Sequence, residues 1–238
     1  MYQEIIENLE KLWNPDKAKI LSRFFKTWKW GYWEWDKFLW IPVPDERFVA
    51  KKIFDKCNLD DIENLLKSEY HEVRLTALLI LCYKYELITK KKLYDEQKKI
   101  VDFYLSHLEY CNNWDLVDLV CYKILWNYLL DKDRQILYKL AKDKNMRKQR
   151  VAIVSTMAFV KKSEFDDTLQ ISEILLNHKH DLIHKAVWWL LREVWKKDEK
   201  VLKDFLDKYA CKMPRTMLRY AIEKLDDKDK KYYLWLKN

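Results

Sequence analysis

Two helical segments joined by a short polar link make up residues 59–85, LDDIENLLKSEYHEVRLTALLILCYKY. Within 59–67 and again within 72–85, apolar residues recur three and four positions apart, which places them on one face of a helix. Asn58 stands directly before the first segment and is a residue type that favours a helix N-cap. This stretch therefore predicts two helices that pack against each other.

The same spacing extends over most of the chain, and alternating strand-like segments bounded by turn residues are absent from it. Helix pairs with short polar links recur roughly every 30 to 45 residues, a period typical of HEAT-like repeats. We therefore predict an all-α chain that forms a single HEAT-like solenoid domain over residues 1–238, with a concave basic face; a compact helical bundle is the alternative. The further helical segments are 93–108, 116–130, 134–141, 149–160, 165–176, 182–194, 200–208 and 216–225.

Composition limits the class of protein. The chain of 238 residues is 49% hydrophobic, enough to bury a core, and carries a formal net charge of +8. A basic balance favours an anionic partner, nucleic acid before membrane, although a lysine-rich solvated surface explains it equally well. The five cysteines are scattered and form no C-x-x-C pair, which argues against a disulfide framework or a zinc site and favours reduced thiols in the cytoplasm. No run of about 18 apolar residues is present, so we predict no membrane span.

Tryptophan and glycine are used in an unusual ratio, twelve of the first and one of the second, although glycine averages about 7% of positions in proteins. Five tryptophans fall between 28 and 40, in a polar stretch that would be an ordinary flexible loop if they were glycines. We predict that the natural protein has glycine at these and similar positions, because a UGA codon that the source organism reads as glycine has been translated as tryptophan. Trp195 is expected at a helix C-cap, and Trp126 and Trp188 at close helix contacts. The residues concerned are Trp13, Trp28, Trp30, Trp33, Trp35, Trp40, Trp126, Trp188 and Trp195.

A candidate chemical motif stands at residues 113–118, NWDLVD, where the pattern predicts the first turn of a helix. Asn113 is a good N-cap, and Asp115 favours the positive end of the helix dipole. Trp114 and Asp118 are four residues apart, so an indole and a carboxylate project from the same face. On spacing alone, a solvated first turn of a helix is the alternative.

This motif is one of several segments that, taken together, resemble a known protein family. The segments are RFFK at 23–26, FLWIPVP at 38–44, NWDLVD at 113–118, QRVAI at 149–153, HKAVWWLLRE at 184–193 and MPRTMLRYA at 213–221. As a set spread over nearly the whole chain, they resemble the AlkD-type DNA alkylation repair glycosylases. The chain departs from that pattern at Phe24, where some relatives have tyrosine, and at Trp40 and Trp188, where the family has glycine.

The resemblance implies a HEAT-like α-solenoid whose basic face wraps double-stranded DNA and which releases N3- or N7-alkylated purines without a metal or cofactor. By match to the motifs, Asp118 and Trp114 would be catalytic, and Trp189 would form a second aromatic wall. A purine alkylated at these positions is cationic and leaves readily, so the site needs a fixed anion and electron-rich faces for the positive charge that develops on the sugar. Contacts to DNA phosphates are expected from Arg150, Arg192 and Arg219 of these motifs and from Lys148 of the basic run beside them.

Two other functions stay open: a relative that binds branched or damaged DNA without excising a base, and a HEAT-like scaffold for a protein partner. The presence of both Trp114 and Asp118 argues against the first. We expect a cytoplasmic monomer with no membrane association. His178, His180 and His184 cluster, and His180 and His184, four residues apart, have a spacing that can hold a metal ion. A helix start at His180 is the simpler interpretation, because no cysteine or third fixed ligand lies nearby in the sequence.

Overall fold

The computed structural model describes residues 1–16 and 36–236, and no β-strand is found among them. The predicted all-α fold class is confirmed. One isolated parallel bridge joins Lys37 and Tyr70. The chain divides into two compact units, Met1–Leu116 and Val117–Asn238. The RFFK segment and the tryptophans between 28 and 35 lie outside the described residues.

The first unit is organised around one long buried helix. Its elements are α1 (Tyr2–Glu10), α2 (Val43–Ile53), α3 (Leu59–Leu66), α4 (His71–Lys90), α5 (Tyr94–Ser106), a 3₁₀ turn (Leu108–Tyr110) and the start of α6 (Trp114–Asp118), within which the boundary between the units falls. Residues 71–82 of α4 are all buried, and α4 packs against α2, α3 and α5. Asn58 caps α3, because its side chain accepts the N–H of Asp61 while the Asp61 carboxylate accepts the N–H of Asn58.

The second unit also has a central helix. Its elements are α7 (Cys121–Leu129), α8 (Gln135–Ala141), α9 (Met146–Ser155), α10 (Met157–Lys161), α11 (Asp166–Ile174), α12 (Asp181–Lys197), α13 (Glu199–Tyr209), a 3₁₀ turn (Ala210–Lys212), α14 (Arg215–Ala221) and α15 (Asp227–Trp235). Helix α12 packs against α9, α10, α11, α13 and α14, so its residues lie at the centre of the unit. Side-chain caps begin four of these helices, Asn145 at α9, His180 at α12, Asp198 at α13 and Asp226 at α15.

Two of the expected helices are interrupted. The segment 116–130 is divided between α6 and α7, and the segment 149–160 is divided between α9 and α10 at Thr156. The Thr156 hydroxyl donates to the carbonyl of Ile153 at 2.8 Å, a side-chain bond that competes with the backbone ladder. Apolar residues continue at helical spacing through both breaks, so the pattern predicts one helix where the structure has two.

Four described tryptophans bear on the glycine prediction. Trp40 has a φ of 60°, in the left-handed region that favours glycine. Trp195 lies inside α12, so its expected position at a helix C-cap is wrong. The indole N–H groups of Trp126, Trp188 and Trp195 are buried without a hydrogen-bond partner, although a buried indole usually finds one. The backbone at Trp40 and these three indoles support the glycine prediction at their positions.

None of the five cysteines forms a disulfide; Cys211 is exposed and the other four are buried. Within the described parts of the chain, no helix combines the length and the apolar character that crossing a membrane requires.

Candidate functional site

A cavity of about 370 Å³ in the second unit brings two of the predicted site residues together. Asp118, the last residue of α6, and Trp189, near the middle of α12, both line it. Its walls are mostly apolar and aromatic with a few charged groups, which is typical of ligand sites. The remaining lining residues are Tyr122, Trp126, Val154, Met157, Lys161 and Glu193.

Asp118 is held by Arg150 of α9 through two parallel hydrogen bonds. The Nε of Arg150 donates to Oδ1 of Asp118 at 2.9 Å, and its Nη2 donates to Oδ2 at 2.7 Å. The remaining terminal nitrogen, Nη1, donates to the carbonyl of Leu182 at 2.6 Å. Arg150 is only 9% exposed, so its guanidinium faces the protein interior and fixes the position of the carboxylate. The contact found for Arg150 is thus Asp118, where the sequence led us to expect DNA phosphate.

The other three residues expected at DNA phosphates keep part of their surface accessible. Arg219 on α14 is exposed. Lys148 is half-buried and forms an ion pair with Asp143 at 3.1 Å. The guanidinium of Arg192 lies over the ring of Trp188, 4.7 Å from its centroid. These cations can reach an anionic ligand more easily than Arg150 can.

Two more charged groups line the cavity beside Asp118. The ammonium group of Lys161 lies over the face of Trp126, 4.2 Å from the ring centroid. The Glu193 carboxylate accepts a hydrogen bond from Lys196 at 2.6 Å. The cavity therefore combines two carboxylates and the indole of Trp189 with the ammonium group of Lys161, which already covers a face of Trp126.

Trp114 begins α6 in the first unit and is connected to Asp118 by the helix itself. The backbone N–H of Trp114 donates to the side-chain oxygen of Asn113 at 2.8 Å. The Oδ1 of Asp115 accepts the backbone N–H of Leu116 at 2.9 Å. Asn113 and Asp115 are 3% and 4% exposed, and Trp114 is half-buried. The side chains of Asn113 and Asp115 therefore each bond to the backbone N–H of the next residue, and not to an N–H two or three residues further on as an N-cap would.

A cluster of buried charges in the first unit was not predicted. The imidazole of His71, at the start of α4, has its Nε2 2.9 Å from Asp115 Oδ2 and its Nδ1 3.3 Å from Asp36 Oδ2. Arg74, one turn later, donates to the other oxygen of Asp36. Burial alone would lower the pKa of His71, but the carboxylates of Asp115 and Asp36 together raise it to about 10. The imidazolium is therefore the form that links the two carboxylates at neutral pH.

Glu72 extends this cluster to the segment before α2. Its carboxylate accepts the backbone N–H groups of Leu39 and Trp40 at 2.8 and 2.7 Å, and that of Ile41 at 3.3 Å. Burial raises the pKa of Glu72, and it raises the pKa of the nearby Glu46 carboxyl well above its usual value. The positive φ of Trp40 is thus held in place by a buried acceptor.

The sequence contained one indication of this cluster. His71, Glu72 and Arg74 are polar residues within the fully buried stretch 71–82, where a helix covered on every side leaves no solvated face. Charged groups in such a position must find partners inside the protein. Their partners Asp36 and Asp115 lie 35 and 44 residues away from His71, so sequence spacing could not identify them.

Of the three histidines near the start of α12, His180 caps the helix. Nδ1 of His180 accepts the N–H of Leu182 at 3.2 Å, and Nδ1 of His178 accepts the N–H of His180 at 3.0 Å. The Nε2 of His184 lies against the carbonyl of His178. Among the described residues there is no group of three or more histidine, cysteine, aspartate or glutamate side chains that could hold a metal ion.

Comparison with known proteins finds similarity to a protein family and to solved structures. The family model of the DNA alkylation repair enzymes matches residues 5–225. Among solved structures, a predicted DNA alkylation repair enzyme from Enterococcus faecalis is similar with a TM-score of 0.65 and 16% sequence identity, covering 90% of this chain and 97% of that one. At this identity the likeness shows a shared helical fold. No curated protein matches the chain.

Proposed function

Because this chain belongs to the DNA alkylation repair enzyme family, we propose that it is a DNA glycosylase that hydrolyses the N-glycosidic bond of N3- or N7-alkylated purines in duplex DNA. The observation that supports the proposal most directly is the carboxylate of Asp118, which Arg150 fixes at a cavity that also contains the indole of Trp189. No metal or cofactor is required, and a monomer suffices.

The proposed reaction needs little help with the leaving group. A purine alkylated at N3 or N7 carries a positive charge, which weakens its bond to deoxyribose. As that bond breaks, positive charge develops on the sugar, and a fixed anion close to it lowers the barrier. We assign this role to Asp118, which also orients the attacking water. The indoles of Trp114 and Trp189 each contribute about 0.5 to 2 kcal/mol toward a desolvated cation.

The basic residues have two distinct roles in this proposal. Lys148, Arg192 and Arg219 contact DNA phosphates, since their cationic groups retain accessible surface. Arg150 acts first on Asp118, because three of its five N–H groups already have protein acceptors. A contact of Arg150 with phosphate would have to use the second N–H of Nη1 or Nη2.

An excision assay with Asp118→Asn tests the proposal. We expect the variant to bind duplex DNA containing 7-methylguanine with nearly unchanged affinity, and to lose about 100-fold or more in the single-turnover rate of excision, because a neutral amide cannot stabilise the cationic sugar. Asp166→Asn, which removes an exposed carboxylate from the first turn of α11, is the matched control and should excise normally. Unchanged excision by Asp118→Asn would overturn the assignment.

The same assay separates the other two functions. A DNA-binding relative without activity would bind methylated duplex but release no base. A scaffold for a protein partner would show no DNA affinity that falls steeply with salt, whereas a groove that contacts phosphates must show it.

A further inference from the structure

We propose that His71 is a positioning residue for base excision: it holds the first turn of α6, and with it Trp114, against the buried start of α4. This inference rests on the proposed function, because it matters for catalysis only if Trp114 faces the substrate. His71 itself is buried and contacts no ligand in this scheme.

The two residues on either side of Trp114 both contact His71: the Nδ2 of Asn113 lies 3.3 Å from Nδ1 of the imidazole, and the carboxylate of Asp115 lies closer, at Nε2. Asp115 Oδ2 lies 2.9 Å from Nε2 of His71, and Oδ1 of the same carboxylate accepts the N–H of Leu116 inside α6. The side chains of His71 and Asp115 are 3% and 5% exposed, so water does not compete for this bond. Trp114 is the residue directly before Asp115, and its backbone therefore moves with the carboxylate.

His71 is fixed on its other sides as well. Its Nδ1 faces Asp36, which also accepts from Arg74, and the ring of Phe38 stacks on the imidazole with 4.8 Å between centroids. Asp36 and Phe38 belong to the segment that Glu72 holds at its backbone N–H groups. The imidazolium thus joins the segment 36–41 to the motif at 113–118 through buried contacts.

A short helix depends on such anchors. Helix α6 has five residues, and an isolated helix of this length is unstable in water. Its position is therefore set by tertiary contacts, of which the Asp115–His71 bond is fully buried and charge-assisted. A displacement of about 1 Å in a group that contacts the reacting atoms can cost about 100-fold in rate. Loss of the bond should consequently reduce the rate of the chemical step more than the affinity for DNA.

A double-mutant cycle with His71→Gln and Asp115→Asn tests the inference. We expect each single variant to lower the single-turnover excision rate by about tenfold or more while the DNA dissociation constant changes less than about twofold. The double variant should be no slower than the slower single variant, because both substitutions remove the same bond. His107→Gln, which changes a half-buried imidazole of the same unit, is the control and should leave the rate unchanged. Full additivity in the cycle would overturn the inference.

A second measurement does not depend on activity. In protein labelled with 5-fluorotryptophan, the ¹⁹F resonance of Trp114 is assigned by its absence in Trp114→Phe. We expect this resonance to shift in Asp115→Asn and His71→Gln, and to stay in place in His107→Gln. If the wild-type protein excises no base but the resonance shifts, the proposed function fails and the contact stands. If the wild type excises the base but the Trp114 resonance stays in place in both variants, the positioning role is wrong. If His71→Gln does not fold, the resonance in Asp115→Asn alone tests the inference.

Discussion

Helix α6 has a carboxylate–cation pair near each end, and the two pairs differ in their access to solvent. The side chains of Asp115 and His71 are 5% and 3% exposed, whereas those of Asp118 and Arg150 are 17% and 10% exposed, and Asp118 lines a cavity. Charged side chains that are enclosed by protein interact only with other protein groups. A charged side chain at a cavity also interacts electrostatically with a ligand that enters the cavity. The first pair is therefore suited to holding the helix, and the second to chemistry.

The largest effect on stability is expected from breaking the more open pair. Arg150→Leu leaves the Asp118 carboxylate largely buried without its cation, so the free energy of unfolding should fall by about 3 to 4 kcal/mol. Urea unfolding followed by circular dichroism measures this change. Arg219→Leu removes an exposed arginine from the same unit and should change stability by less than about 0.5 kcal/mol. Equal losses in the two variants would show that the Asp118–Arg150 pair does not contribute to stability beyond an exposed arginine.

We expect the enclosed pair, His71 and Asp115, to make the free energy of unfolding fall at alkaline pH. The pKa of His71 is about 10 in the folded protein and 6.5 for the free side chain, so its stabilising contribution is complete below pH 6.5 and is lost as the pH rises toward 10. Between pH 7 and pH 9 the loss is at most about 3 kcal/mol, because one proton contributes about 1.4 kcal/mol per pH unit. The other titratable groups of this cluster are Asp36, Glu46, Glu72, Arg74 and Asp115.

Urea midpoints at pH 7 and pH 9 check this prediction. His71→Gln has no titrating imidazole at that position and should show a flatter dependence than the wild type. His107→Gln should keep the wild-type dependence, because its ring belongs to a different ion pair. A wild-type midpoint that does not change over this range would show that the cluster is not charged as described.

A smaller gain in stability is expected from Trp40→Gly. Trp40 has a φ of 60°, and its N–H is held by Glu72 of the enclosed cluster, so a residue without Cβ should relieve about 1 kcal/mol of backbone strain. Trp13→Gly, at an exposed position without positive φ, should bring no gain. Urea unfolding measures both variants.

The gene sequence gives an independent test of whether glycine is the natural residue at position 40. We expect UGA at position 40 and UGG at positions 114 and 189, where the family motifs call for tryptophan. A UGG codon at position 40 would show that tryptophan is the natural residue there.

The smallest effect is expected at the exposed cap of α12. Burial lowers the pKa of His180, so the contribution of its neutral ring is present above pH 6.5 and is lost as the pH falls below that value. Because the side chain is 38% exposed, solvent screening limits the effect to a few tenths of a kcal/mol. His180→Asn keeps an N-cap acceptor and should remove the dependence between pH 7 and pH 5. Thermal unfolding at both pH values measures it.

The sequence was sufficient for most of the helices, and it named two residues that line one cavity. Apolar spacing predicted the all-α class, and the motifs placed Asp118 and Trp189 in one site, where the structure has both at one cavity. The bidentate partner of Asp118 was assigned to DNA, because Arg150 is 32 residues away and a basic residue in a basic run gives no information about an internal acceptor. The break between α6 and α7 was missed because apolar spacing continues across it.

The bond between Arg150 and Asp118 is present in the free protein, and this has a consequence for evolution as well as for rate. A carboxylate that is already oriented does not have to reorganise when the sugar becomes cationic, because the free-energy cost of orienting it has been met when the protein folds. Replacing both residues by apolar side chains of similar volume would be expected to yield a more thermostable protein without the reaction. Selection for activity should therefore keep this chain below the stability that its fold could reach.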